Sequence, residues 1–109
     1  MPYIEVMYKR NVSRQLVGVI VSTLHAKACH RDLISSETLD VYARRLGKLD
    51  RQDKLIMVRI YADPHHYIRS REDAVRIQEG ILDIVTGIVR PMQVRVEIVT
   101  TPTAPHIPQ

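Results

Sequence analysis

The chain has 109 residues, 45% of them hydrophobic and 26% charged, which suffices for one hydrophobic core and is too short for two independent ones. Those fractions are ordinary for a globular protein, and no apolar run reaches the roughly 20 residues of a membrane helix, so disorder and membrane insertion are set aside. The net charge is +4, but acids lie between the cations and the aromatics are five tyrosines without Phe or Trp, which suits local anion sites better than base stacking on nucleic acid.

Residues Tyr3 to Tyr8 read Tyr-Ile-Glu-Val-Met-Tyr, an alternation rich in β-branched and aromatic side chains that predicts a first strand. Ser13 then offers an N-cap, and Val17, Ile20, Val21, Leu24 and Ala28 recur at the spacing of one helical face, predicting a helix to about Cys29. The lone cysteine falls in that pattern, where a buried thiol acts as a small hydrophobe, and it has no partner for an internal disulfide. Thr38 to Arg45 puts Leu39, Val41 and Ala43 on one side and Asp40, Tyr42 and Arg44 on the other, as a half-buried second strand does. The charged stretch Lys48 to Lys54 reads as a turn. Leu55 to Tyr61 follows as a third strand, with Ile56, Val58 and Ile60 on one face and Met57, Arg59 and Tyr61 on the other.

Asp63, Pro64, His65 and His66 read as a loop, after which Ser70, with Asp73 three residues on, caps a second helix. Its core face is Ala74, Ile77, Ile81, Ile84, Val85 and Ile88, and Pro91 is expected to end it. Gln93 to Thr100 is the fourth strand. Residues 101–109 hold three of the six prolines and are expected to form an extended tail, mobile or draped on a neighbouring subunit. With no basic-then-apolar leader at the start, a soluble cytoplasmic protein is the expectation.

Strand, helix and strand thus occur twice, over residues 2–47 and 54–100. Both helices open on similar residues, Ser13-Arg14-Gln15 and Ser70-Arg71-Glu72, which points to an internal duplication, although shared capping chemistry also explains so short a match. The fold class expected is α/β (α+β): two consecutive βαβ units forming one four-stranded sheet with two helices on one face. That arrangement leaves the face of Tyr42, Met57, Arg59 and Tyr61 uncovered, and an oligomer follows.

The sequence opens Met1-Pro2-Tyr3, with proline directly before a strand. Proline is tolerated at the first residue of an edge strand, where no ladder donor is missed. Pro2 followed by two βαβ units in just over a hundred residues also resembles the tautomerase superfamily, and within it the 5-carboxymethyl-2-hydroxymuconate isomerases. The resemblance covers residues 2 to 100 as one domain and rests on Pro2, on Ser70 to Ala74 (Ser-Arg-Glu-Asp-Ala), and on Ile68-Arg69-Ser70. The first half departs from it, with Val12 before Ser13 where small tautomerases carry a substrate-binding arginine; Lys9 and Arg10 are nearby stand-ins.

The resemblance implies loss of Met1, a catalytic Pro2, no cofactor, a homotrimer with sites where neighbours meet, and a small carboxylate-bearing substrate. A terminal proline is a secondary amine, and an apolar strand beside arginine cations disfavours its protonated form, so that it works as a base. With Met1 retained the nitrogen is an amide and the mechanism fails. The substrate-binding residues implied are Arg69, beside the exposed donors of the second helix, Arg44 and Tyr42 on the polar face of the second strand, and Arg71.

Element order alone also fits a noncatalytic ferredoxin-like βαββαβ module that binds a small ligand, RNA or protein, or a tautomerase fold that has lost activity and serves in assembly. A metal is disfavoured, because His65 and His66 are adjacent in a loop with no second cluster at ligand spacing, and His25 and His30 suit a helix surface and its C-terminus. No glycine-rich phosphate loop or nucleophile elbow is present.

Overall fold

Two serine caps set the helices. The Ser13 hydroxyl accepts a hydrogen bond from the Leu16 N–H at 3.1 Å, and Ser70 accepts one from the Asp73 N–H at 3.1 Å. These caps start α1 (Arg14–His30) and α2 (Arg71–Thr86). The structure is a computed structural model that describes residues 3–30, 39–62 and 70–100. Pro2, the His65–His66 loop, Ile68, Arg69 and the tail from residue 101 lie outside the described residues.

Four strands, β1 (Tyr3–Tyr8), β2 (Asp40–Arg45), β3 (Ile56–Ala62) and β4 (Val94–Thr100), form one sheet in the order β2-β1-β3-β4. β1 pairs with β2 and β3 with β4 in parallel, while β1 and β3 run antiparallel. Parallel neighbours need a crossover, and each helix supplies one. β1 is therefore an interior strand of the sheet.

Strand alternation sorts the side chains. Ile4, Val6 and Tyr8 of β1, Ile56, Val58, Ile60 and Ala62 of β3, and Val94 and Val96 of β4 are buried on one face. They join Val17, Ile20, Leu24 and Ala28 of α1 and Ile77, Ile81, Ile84 and Val85 of α2 in a single core, so both helices cover the same side of the sheet. The Gln78 side chain donates to the Val96 carbonyl at 2.7 Å and ties α2 to the edge strand β4. On the other face a small separate cluster of Met7, Leu46 and Met57 is buried. Ala43 is exposed, because β2 is an edge strand. No helix of the described residues is long and apolar enough to cross a membrane.

α2 ends at Thr86, not at Pro91. Thr86 turns its hydroxyl back to the Asp83 carbonyl at 3.2 Å, and the N–H of Gly87 reaches Ile84 O, tightening the last turn four residues before the proline. Pro91 instead opens a 3₁₀ turn, Pro91–Gln93, where its missing donor is not needed. That turn takes Gln93, so β4 begins at Val94, one residue later than its alternation suggests. β3 runs from Ile56 to Ala62, shifted by one from the expected bounds.

Candidate active site

Tyr3, which follows Pro2 in sequence, is the first described residue of β1. Alternation turns Tyr3 to the face of the sheet that the helices leave open, and the register sets it opposite Asp40 of β2 and Tyr61 of β3. The Tyr3 ring stacks on Tyr61 with centroids 4.4 Å apart and planes at 14°, and meets Tyr42 edge-on at 6.0 Å and 70°. Three of the five tyrosines thus form one aromatic row at the Pro2 end of β1. Desolvation pushes the Tyr3 phenol above its ordinary pKa, and the neighbouring Tyr61, Glu5 and Tyr42 push the same way.

Behind the row stands Arg59 of β3. Hydrogen bonds to Tyr61 and then to Glu97 raise its pKa further, and its Nε lies 3.2 Å from Glu97 Oε1. Arg95 approaches Glu97 at 3.8 Å and Asp53 at 4.0 Å, so the β3–β4 half of the open face carries a chain of alternating charges. These pairs are part-exposed and contribute little to stability, but they leave the face with its arginines compensated.

The structure brings one of the expected binding residues into this row. Tyr42, 55% exposed, is the outer member of the aromatic row. Arg44 lies opposite Met7, four residues beyond Tyr3 on β1, or about 13 Å along the strand. Its Nε is 3.4 Å from Glu5 Oε2, its Nη2 donates to Met7 Sδ at 3.2 Å, and its Nη1 is 3.9 Å from Asp50. Within one chain, an anion at Arg44 competes with Glu5. Arg71 is exposed in the first turn of α2, beside Glu72, Val75 and Arg76 on the helix layer. α2 leads through Pro91–Gln93 to Val94, opposite Ile56 at the far end of β3 from Tyr61, so its first turn lies toward the Tyr3 end of the sheet.

Sequence reasoning passes over Tyr3 itself, and assigns Arg59 and Tyr61 to packing between subunits. Parity puts all of them on the open face, but only the register makes Tyr3 and Tyr61 neighbours.

No family model matches the chain, and no curated protein matches it in sequence. Solved structures match its fold. A native fused 4-OT superposes with a TM-score of 0.68 at 12% identity, over 91% of this chain and 86% of that one. Pt0534, solved after inactivation by 2-oxo-3-pentynoate, gives 0.67 at 13% identity over 94% and 87% of the two chains. Malonate semialdehyde decarboxylase, solved in wild-type, mutant and inactivated forms, gives 0.62 at 12% identity over 91% and 84%. These are tautomerase-superfamily structures, and the four-stranded mixed sheet with two helices is the fold this chain shares with them.

Proposed function

We propose that the chain is a cofactor-independent tautomerase or isomerase that interconverts keto and enol, or unsaturated keto, forms of a small carboxylate-bearing substrate, with Pro2 as general base. The observation that supports this reading is Tyr3, the residue that follows Pro2 in sequence: it opens an interior strand in a fold shared with tautomerase structures and stands in a row with Tyr42 and Tyr61. In a chain processed to begin at Pro2, the ring nitrogen is a secondary amine whose neutral form takes a proton from the carbon beside the carbonyl. The electron pair left behind moves onto the carbonyl oxygen, and the proton returns at oxygen or at a conjugated carbon. Arg69, Arg44 and Arg71 are the proposed holders of the substrate carboxylate and the developing oxyanion, and Tyr42 the proposed wall. Where Arg44 serves, it exchanges Glu5 for the substrate.

The assembly belongs to the same proposal. Symmetric and asymmetric trimers of fused 4-OT share this fold, which supports a homotrimer built on the open sheet face.

The test compares a chain prepared to begin at Pro2 with one that retains Met1, on the enols of phenylpyruvate and of a hydroxymuconate. The first is expected to turn over at least one of them, and the second to lose about 10²- to 10⁴-fold in rate. Pro2→Ala, which keeps a primary amine, retains part of the activity, while Arg69→Ala mainly raises KM. Undiminished turnover with Met1 in place removes Pro2 from the mechanism, and no turnover by the chain beginning at Pro2 removes the substrate class.

A further inference from the structure

We infer that the concave surface between the β1–α1 turn and the β2–β3 loop binds a small, multiply charged anion of the phosphate class, such as a diphosphate or a compact phosphate ester. The inference goes beyond the proposed tautomerase site, because this surface lies past Tyr8, about 17 Å along β1 from Tyr3.

The two segments are tied together by backbone bonds. Lys9 N–H donates to Leu55 O at 3.0 Å and Leu46 N–H to Tyr8 O at 2.9 Å. Between them lies a cavity of about 400 Å³, with Lys9, Arg10 and Asn11 on one wall and Lys48, Arg51 and Gln52 on the other. Four cations therefore face one space, against the single carboxylate of Asp50. That carboxylate is engaged already, accepting from Gly47 N–H at 2.6 Å and lying 3.9 Å from Arg44.

Four arginines elsewhere are compensated, Arg44 by Glu5, Arg59 by Glu97, Arg95 by Glu97 and Asp53, and Arg76 by Asp73, whereas Arg14, Arg45, Arg71 and Arg90 have no such pair among the described residues and do not line this cavity. Lys9, Arg10 and Lys48 have no carboxylate partner among the described residues. Arg51 is set in advance, its Nη1 donating to Lys48 O at 2.8 Å and Asp50 O at 3.1 Å, which leaves its Nη2 and Nε donors for a ligand. α1, which starts three residues after Asn11, has no acid in its first turn, whereas α2 has Glu72 and Asp73 there, so the positive end of the α1 dipole adds to the local field.

The charge selects the ligand class. One carboxylate leaves most of this positive charge uncompensated, whereas a diphosphate answers it and offers oxygens in every direction to point-charge lysines. The small cavity and the acids Glu72, Asp73, Glu79 and Asp83 on α2 favour a compact ligand over a nucleic acid strand.

Titration calorimetry of the full chain at low ionic strength, with inorganic pyrophosphate as probe, tests the inference. One saturable site per chain is expected, weakened about tenfold or more in Lys9→Ala/Lys48→Ala and unchanged in Lys27→Ala, an exposed lysine on α1. Malonate and a short single-stranded oligonucleotide are expected to bind more weakly than pyrophosphate. Absence of a saturable site overturns the inference, as does an equal loss in Lys27→Ala. So do malonate binding as tightly as pyrophosphate and an oligonucleotide binding more tightly. The titration is run with Met1 retained and with Met1 removed, and equal affinity in both is expected. Binding that appears only when Pro2 is free places the anion in the proposed tautomerase site and ends the claim of a second one.

Discussion

A half-buried phenol stacked on another ring releases its proton late, and Tyr3 is such a group. Its raised pKa means that the folded chain holds the proton more tightly than the unfolded chain does. The corresponding stability is fully present below the unfolded pKa of about 10 and is lost as pH rises through the higher folded value. An alkaline titration followed by phenolate absorbance should therefore show a late phase that Tyr3→Phe removes, together with part of the alkaline fall in stability. A wild type without such a phase contradicts the environment described for Tyr3. The same residue shows how local pattern and site chemistry differ in legibility. Alternation reveals that Tyr3, Tyr42 and Tyr61 share a face, but not that they touch.

At the scale of the element, α2 is the best-specified helix. Ser70 satisfies the Asp73 N–H, Glu72 and Asp73 complement the dipole, and Ile77, Ile81, Ile84 and Val85 form one buried stripe. Ser70→Ala is expected to cost about 1 kcal/mol in denaturant unfolding. Ile81→Ala, which opens a cavity at a fully buried position, is expected to cost about 2 to 5 kcal/mol. Near-equal costs for the two changes would mean that α2 is held less by the core than its burial indicates. The start of α2 is legible because cap, acids and apolar period agree at Ser70. Its end is not, because Gly87 and Pro91 compete as stop signals and the Thr86 back-bond, together with the tightened turn at Gly87, decides in favour of the nearer one.

At the scale of the whole molecule, the helices cover one side of the sheet and leave Tyr3, Tyr42, Tyr61 and Val99 on the other, with Met7 and Met57. The charges on that face are paired laterally, Glu5 with Arg44 and Arg59 with Glu97, so covering it strands no lone charge among them. Sedimentation is expected to give a trimer, and Tyr42→Glu, at an exposed edge position, to weaken assembly while leaving the fold intact. A wild-type monomer at micromolar concentration contradicts the proposed assembly.

The sequence alone determined the four strands, the two helices and most of the core, because periods of 2 and 3.6 are properties of a single strand or helix. Pro2 before a strand and the arginines around the second helix were legible for the same reason, as features of one short segment. Only the tertiary structure decided that β1 is interior, that Arg44 stands opposite Met7 and pairs with Glu5, and that Lys9 and Arg10 face Lys48 and Arg51. Strand order and register are settled by the packing of all the strands and helices together, and the period of one strand carries no information about which residue of another it meets.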